Sequence, residues 1–260
     1  MKKHKIALVL GAGGSRGLAN IGVLKVLDEL GIKADYIIGS SMGALVGALY
    51  ASGKTGQEIE HIILKTNIFS MFETNIFKGH LFNEQKMSTF LEKHIFQKTF
   101  AKLQIPLKIN ALNINSGREI VFEKGNIHKA ILASIALPGL FKPVIYQKQF
   151  IIDGGITNPT PLNLVPKNCS IIAVDVSFAA KTITTKSSTI DLVLKTFSHI
   201  QQNSHRYYLL ESQMKPDNRV LLKPQLGFRN IIDFRDEKSI IRAGEVEARR
   251  LKKELVALIR

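Results

Sequence analysis

The chain has 260 residues, 45% of them hydrophobic, with 19 Gly, 8 Pro, no Trp and a single Cys; this excludes a disordered or fibrous protein and leaves ample length for a buried core. The lone Cys169 excludes an internal disulfide framework and a thiolate-cluster zinc site, and fits a reducing compartment. Lys and Arg number 36 against 21 Asp and Glu, a formal charge of +15, which favours anionic partners without choosing among nucleic acid, a phospholipid surface and a phosphorylated small molecule.

In chain order, Met1-Lys2-Lys3-His4-Lys5 is basic, but the apolar run Ile6–Leu10 stops at Gly11, too short for a secretory leader. No run reaches the roughly 18 apolar residues of a spanning helix, so a cytoplasmic chain that meets membranes from their surface is expected. Ile6–Leu10 reads as a buried strand. A helix over about Gly17–Leu30 follows, with Leu18, Ile21, Leu24 and Leu27 on one side and Gly31 as its stop. Tyr36–Ile38 is a second strand and Met42–Ser52 a second helix. Residues 69–100 interrupt the alternation and hold half of the 14 Phe: Phe69, Phe72, Phe77, Phe82, Phe90, Phe96 and Phe100. They form either an inserted helical layer of ordinary core or an apolar cap over a site for acyl chains.

Further strands are predicted at Leu107–Leu112, Glu119–Phe122, Phe150–Ile152, Ser170–Val176 and Arg219–Leu222. Helices are predicted at about Asn126–Ser134, Thr189–Gln213 and Asp236–Ile259, and the polar stretch Lys181–Ser188 reads as a surface loop. Alternating strands and helices, with strands that are apolar throughout, predict a three-layer α/β/α fold around a central, mostly parallel sheet.

The sharpest motif is Gly39-Ser40-Ser41-Met42-Gly43, a G-x-S-x-G between a strand and a helix. There a tight turn lifts Ser41 out of the sheet, and Gly39 and Gly43 let strand and helix pass closely. The helix N-terminus behind it favours developing negative charge. Without that context the same five residues are common in turns.

Gly11-Ala12-Gly13-Gly14-Ser15-Arg16-Gly17 follows the first strand directly. As a dinucleotide fingerprint it fails at Arg16, where a third small residue is needed, and no Gly-Lys-Ser/Thr makes it a P-loop. It is either a packing turn or an oxyanion hole built from the amides of Gly13, Gly14, Ser15 and Arg16. In the second case the Arg16 side chain steadies the loop or meets a phosphate.

A serine nucleophile needs a base. Of the seven histidines, His4 sits at the start, His61, His80 and His94 precede the later strands, His128 begins a helix, and His199 and His205 lie inside one. None follows a late strand. Asp153 does, in Asp153-Gly154-Gly155, at a strand's C-terminal end, where open parallel sheets carry their sites; an Asx turn is the bland alternative. No metal-ligand spacing such as H-E-x-x-H occurs, and no cofactor is implied.

Taken together, the glycine loop, the G-x-S-x-G and the Asp-Gly-Gly, with Ser134–Val144 ahead of the last, resemble the patatin-like phospholipase family, in its neuropathy-target-esterase-like branch. The resemblance runs from about residue 5 to about residue 177 and implies one acyl-hydrolase domain spanning 1–260. It implies a Ser-Asp dyad without His, with Ser41 as nucleophile, Asp153 as base and the Gly13 and Gly14 amides as oxyanion hole. The implied substrates are phospholipids or lysophospholipids. Ala12 stands where many members have a further Gly, and Asn20 where a His is common. A non-enzymatic, membrane-peripheral adaptor on the same fold is the alternative from another class.

The segment Glu237–Arg260 places Arg249-Arg250 and Lys252-Lys253 opposite Leu251, Leu255 and Leu258–Ile259. This basic amphipathic helix either docks on the sheet or meets anionic lipid. No nucleic-acid motif accompanies the charge.

Overall fold

The computed structural model describes residues 5–66, 84–177, 182–185, 187–211, 218–227 and 231–259. Its first strand, β1 (Lys5–Leu10), is buried from Ile6 onward, as an unbroken apolar run must be when both faces of its sheet are covered. A 3-10 turn over Gly14–Leu18 leads into α1 (Ala19–Glu29), followed by β2 (Tyr36–Gly39), α2 (Met42–Ala51), α3 (Gly56–Lys65) and α4 (Glu84–His94). Next come β3 (Leu107–Asn113), β4 (Glu119–Phe122), α5 (Ile127–Ser134), β5 (Val144–Tyr146) and β6 (Gln149–Asp153). The chain continues through β7 (Cys169–Val174), α6 (Thr189–Glu211), β8 (Arg219–Leu222), α7 (Glu237–Arg250) and α8 (Lys252–Ala257).

The sheet runs β5-β6-β3-β2-β1-β7-β8, with β4 also paired to β3. Strands β1, β2, β3, β7 and β8 are parallel, β4 and β6 run the other way, and β5, antiparallel to β6, again points with the first set. The mostly parallel three-layer expectation therefore holds. Side chains alternate between two cores: Ile6, Leu8 and Leu10 join the large cluster under α1, α2 and α5. Ala7 and Val9 point to the opposite face, against Leu162 and Ile171. Further along that second face, Phe197 of α6 packs on Leu112 and Ile152.

Two elements escape the sequence prediction. Helix α3 opens on a capping box, in which Thr55 Oγ1 accepts from the Glu58 N–H at 3.2 Å and Glu58 Oε2 accepts from the Thr55 N–H at 2.8 Å. Strand β5 is three residues long, too short for a period to show. In the Phe-rich region, Phe90 and Phe100 are buried in the main core with Leu91 and Ile95, while Phe96 is 76% exposed. Phe69, Phe72, Phe77 and Phe82 lie outside the described residues.

The predicted C-terminal helix breaks at Leu251 into α7 and α8. Its apolar face is occupied: Ile240, Ile241, Gly244 and Ala248 are buried, and α7 lies directly on α1. A Cβ on Gly22 would collide with the Ile241 carbonyl oxygen, and one on Gly244 with that of Ala19. Beside this crossing, Lys25 of α1 binds Glu60 of α3 at 2.6 Å and also Glu245 of α7. Arg249 pairs with Glu29 at 2.8 Å and Arg250 with Glu247 at 2.8 Å, so part of the basic stripe is already neutralised. Among the described residues no helix is long and apolar enough to cross a membrane.

The close crossing has a measurable consequence. Gly22→Ala and Gly244→Ala each gain about 1 kcal/mol of helix propensity, yet should lower stability by roughly 1–3 kcal/mol through overpacking. Thermal unfolding checks this: a raised midpoint in either variant means the backbones are not in contact.

Candidate active site

Strand β2 enters the site between β1 and β3, and Ser40 N–H ties its end to the Leu10 carbonyl at 3.1 Å. The chain then reverses at Ser41, with φ 52° and ψ −122°. That backbone is costly for any residue with a Cβ, on the order of 1–3 kcal/mol. The Ser41 N–H donates to Ser134 Oγ at 2.9 Å, so α5 braces the strained turn. A Cβ on Gly43 would strike the carbonyl oxygens of Leu10 and Gly11, and one on Gly39 would lie 2.6 Å from Ala44 Cα. Both small residues are therefore demanded by the crossing of strand and helix.

Asp153 reaches Ser41 by a route that differs from the sequence expectation. It ends β6, which is antiparallel to its neighbour β3, so this is not the C-terminal edge of a parallel strand. Running against β3, β6 brings Asp153 opposite Ala111, two residues along β3 from Ile109, the partner of Gly39. Ser41 Oγ donates to Asp153 Oδ2 at 2.7 Å, and the Gly155 N–H donates to Oδ1 at 2.7 Å. The carboxyl is buried, and burial pushes its pKa up to about 7; the two hydrogen bonds pull the other way. A residue that looks too acidic to serve as a base near neutrality is thus brought into range. Gly154 and Gly155 are needed for contact: a Cβ on Gly154 would lie 2.7 Å from the Asn110 backbone, and one on Gly155 would collide with Ala12.

The glycine loop is held amide by amide. Gly11 N–H donates to Val174 O at 3.0 Å, Ala12 N–H to Pro159 O at 2.8 Å, Ser15 N–H to Ile231 O at 2.6 Å and Arg16 N–H to Gly13 O at 3.1 Å. The Ser15 and Arg16 amides are therefore spent within the fold, a correction to their expected place among the oxyanion donors. Among the described residues, the Gly13 and Gly14 N–H groups have no hydrogen-bond partner. Arg16 steadies the loop: its guanidinium donates to Val176 O and Ser177 O at 3.1 Å each and to Gly227 O at 2.8 Å. Asn20 joins it, with Nδ2 donating to Gly11 O at 3.2 Å and Gly17 O at 2.8 Å.

Ser41, Asp153, Gly13 and Gly14 line one cleft of about 670 Å³, counting its open mouth. Its walls include Met42, Leu45, Leu140, Phe141 and Phe234, and Met87 of α4 reaches it from the Phe-rich region. No described histidine lines it; His128 Nε2 instead pairs with the Ile95 carbonyl at 2.8 Å. His4, His80 and the side chain of His205 lie outside the described residues. Sequence reasoning missed Ser134 and Gln201, the latter donating from Nε2 to Gly155 O at 2.7 Å. It also missed a polar anchor beneath the Asp-Gly-Gly turn. There Glu119 accepts from Asn110, Asn158 and Asn163 at 3.2, 2.7 and 3.2 Å, and Asn158 O accepts from Ser40 Oγ at 3.3 Å.

Comparison with known proteins shows the family and the fold. The model of the patatin-like phospholipase family matches residues 8–165. An uncharacterised NTE family protein of Mycobacterium bovis is 33% identical over 161 residues, 61% of this chain and 44% of that protein. Lysophospholipase NTE1 of Cryptococcus neoformans is 34% identical over 190 residues, 66% of this chain and 11% of that one. The chain thus spans less than half the length of these curated relatives. VipD of Legionella pneumophila shares the fold, with a TM-score of 0.64 at 13% identity over 96% of this chain and 67% of its own. ExoU of Pseudomonas aeruginosa does so at 0.53 and 14% identity, over 99% of this chain and 52% of its own. With its glycine loop, G-x-S-x-G and Asp-Gly-Gly gathered on one cleft, the chain belongs to the patatin-like phospholipase family.

Proposed function

We propose that the protein is a serine hydrolase of acyl esters in phospholipids or lysophospholipids, with Ser41 as nucleophile and Asp153 as its base. One observation carries the reading: the 2.7 Å hydrogen bond from Ser41 Oγ to a buried carboxylate, beside a cleft with apolar walls. Ser41 Oγ attacks the ester carbonyl carbon as its proton passes to Asp153 Oδ2. The unpartnered Gly13 and Gly14 amides take the developing oxyanion. The leaving alcohol carries the proton away, and water then releases the acyl group. The apolar walls suit an acyl chain, and a relative bearing the name lysophospholipase supports the substrate class.

The whole chain then acts as one acyl-hydrolase unit, without a metal or cofactor in the reaction. Its charge of +15 supports peripheral contact with anionic lipid. With the apolar face of α7 occupied by α1, that contact is electrostatic rather than insertive. The adaptor alternative gives no reason to hold a non-glycine residue in the Ser41 backbone.

Ser41→Ala and Asp153→Asn should each lower turnover by roughly a thousandfold or more, measured on p-nitrophenyl esters of rising chain length and on phospholipid and lysophospholipid vesicles. Wild-type activity in Asp153→Asn would rule out the dyad, and vesicle binding indifferent to anionic content would remove the electrostatic contact. The base must be ionised, so kcat/KM should rise about tenfold per pH unit below about 7 and level off above it; a limb near 4 contradicts the burial effect. Stability follows the opposite sign. Because the folded pKa lies above the unfolded value of about 3.9, the native state holds this proton more tightly between pH 4 and 7. The wild type should therefore lose stability relative to Asp153→Asn across that window and no further above it. Finally, Ser41→Gly should unfold at a higher temperature than Ser41→Ala, by about 1 kcal/mol of relieved strain, though both are inactive; equal stabilities mean the turn is unstrained.

A further inference from the structure

Strands β1 and β2 stop at Leu10 and Gly39, where the glycine loop and the turn to Ser41 begin. Strand β3 does not stop there: past Ile109, the partner of Gly39, it runs on to Asn113. Its partner β6 begins further out still, at Gln149, and the β5–β6 hairpin turns through Gln147 and Lys148 at φ 48° and 62°. Two left-handed residues in succession make the tight hairpin turn that fixes register, and Ile145 is thereby held opposite Phe150. On the other side of β6 the Ile114 N–H donates to Phe150 O at 3.1 Å, one step beyond the Asn113–Ile151 pair. Ile114, Phe150 and Ile145 therefore form one row across three adjacent segments, on the face that also carries Ile152. Nearer the site on this face, Phe197 of α6 packs on Leu112 and Ile152. The row itself is left open, with Ile114 50%, Phe150 47% and Ile145 60% exposed.

The surroundings of the row point to what covers it. Arg118, Lys142 and Lys148 flank it and are exposed, and among the described residues none of the three has an acidic partner. The row is also continuous with the cleft: Leu137 packs with Leu112 and Ile152, next to the row, and lines the cleft with Ser41 and Asp153. Three side chains fall far short of the roughly 20–30 residues a side of a stable protein interface, and a second copy laid on the row would bring like charges together. Apolar side chains ringed by cations suit a bilayer surface instead, where the first enter the acyl boundary and Lys and Arg meet phosphates.

We propose that Ile114, Phe150 and Ile145 insert into the outer part of a phospholipid layer and bring the cleft against it. The inference rests on the lipid-ester reading for its occupant, and it adds the surface by which the chain meets that substrate. Net-charge attraction draws the chain to anionic lipid without orienting it, and α7 has no apolar face to spare; the row supplies the orientation.

The chain has no Trp, so Phe150→Trp places a single reporter in the row. On vesicles of phosphatidylcholine and phosphatidylglycerol its emission should shift to the blue, and brominated acyl chains should quench it. The double variant Ile145→Thr, Phe150→Thr changes two exposed strand positions and should lower vesicle partitioning about tenfold. Its turnover of dispersed p-nitrophenyl butyrate should stay at the wild-type level, while turnover of vesicle lipid falls with partitioning. Binding is read in the Ser41→Ala background, where hydrolysis products cannot disturb the vesicles, and the Trp readings stand whether or not the double variant folds. A reporter that remains solvent-like on sedimented vesicles overturns the proposal, as does unchanged partitioning in a folded double variant. A blue shift that follows protein concentration without lipid, with dimers in sedimentation, gives the row to a second copy and overturns it too. Insertion by a wild type that hydrolyses neither ester nor lipid supports the row and overturns the Ser41–Asp153 reading. Hydrolysis of vesicle lipid without insertion overturns the row alone.

Discussion

A carboxyl group buried with two hydrogen-bond donors is the constraint around which this molecule is arranged. Water would hold Asp153 ionised at acidic pH; the fold removes the water and returns only Ser41 Oγ and the Gly155 N–H. Desolvation outweighs those two donors, and the carboxyl settles near neutrality at about 7. The Ser-Asp pair proposed above, without histidine, depends on that balance. Complete hydrogen bonding would leave Asp153 too weak a base, and full burial without donors would leave it protonated and idle.

Holding the balance requires chain segments far apart in sequence to meet with little tolerance. Ser41 and Asp153 are 112 residues apart, and the sheet brings them together because β6 runs against β3 while β2 runs with it. The glycine positions serve this convergence more than local flexibility does. Gly43 admits the carbonyls of Leu10 and Gly11, and Gly155 admits Ala12. Each is a contact between two of the three motifs, so the motifs are best understood as one packing unit written in three places. The polar anchor on Glu119 extends the same unit by fixing Asn158, and through its carbonyl Ser40, directly before the nucleophile.

That unit was legible in the sequence because glycine in a crowded turn leaves a mark that survives without the structure. The strands were legible for a similar reason, since burial on both faces removes polar residues from a run such as Ile6–Leu10. What stayed hidden depends on long-range pairing. Nothing local marks β5 as a strand or β6 as antiparallel, because direction in a sheet is a property of the partner. The Ser15 and Arg16 amides could not be removed from the oxyanion loop without seeing that Ile231 O and Gly13 O accept them. Helix α3 was legible and overlooked, for Thr55-Gly56-Gln57-Glu58 ahead of Ile59, Ile62 and Ile63 carries a capping signature. Gln201 left no mark at all: one amide in a long helix means nothing until Gly155 O is found within 2.7 Å of it.

The division between what was legible and what was not follows a division of labour in the chain. The family match ends at residue 165 and contains Ser41, Asp153 and the glycine loop. Gln201, Ile231, Ile232 and Phe234, which line the same cleft, lie beyond it. These later residues do more than wall the cleft. Ile231 O accepts the Ser15 N–H, and a Cβ on Gly14, at φ 55°, would collide with that same carbonyl. The conformation that leaves the Gly13 and Gly14 amides open is therefore set partly by a segment outside the shared region. The cleft is thus shared: the matched region supplies Ser41, Asp153, the glycine loop and walls such as Met42, Leu45 and Phe141, and the later segment completes it with Gln201, Ile231, Ile232 and Phe234. Substitutions after residue 165 that reshape the cleft must therefore also preserve the pairing of β7 with β1 and the packing of α7 on α1.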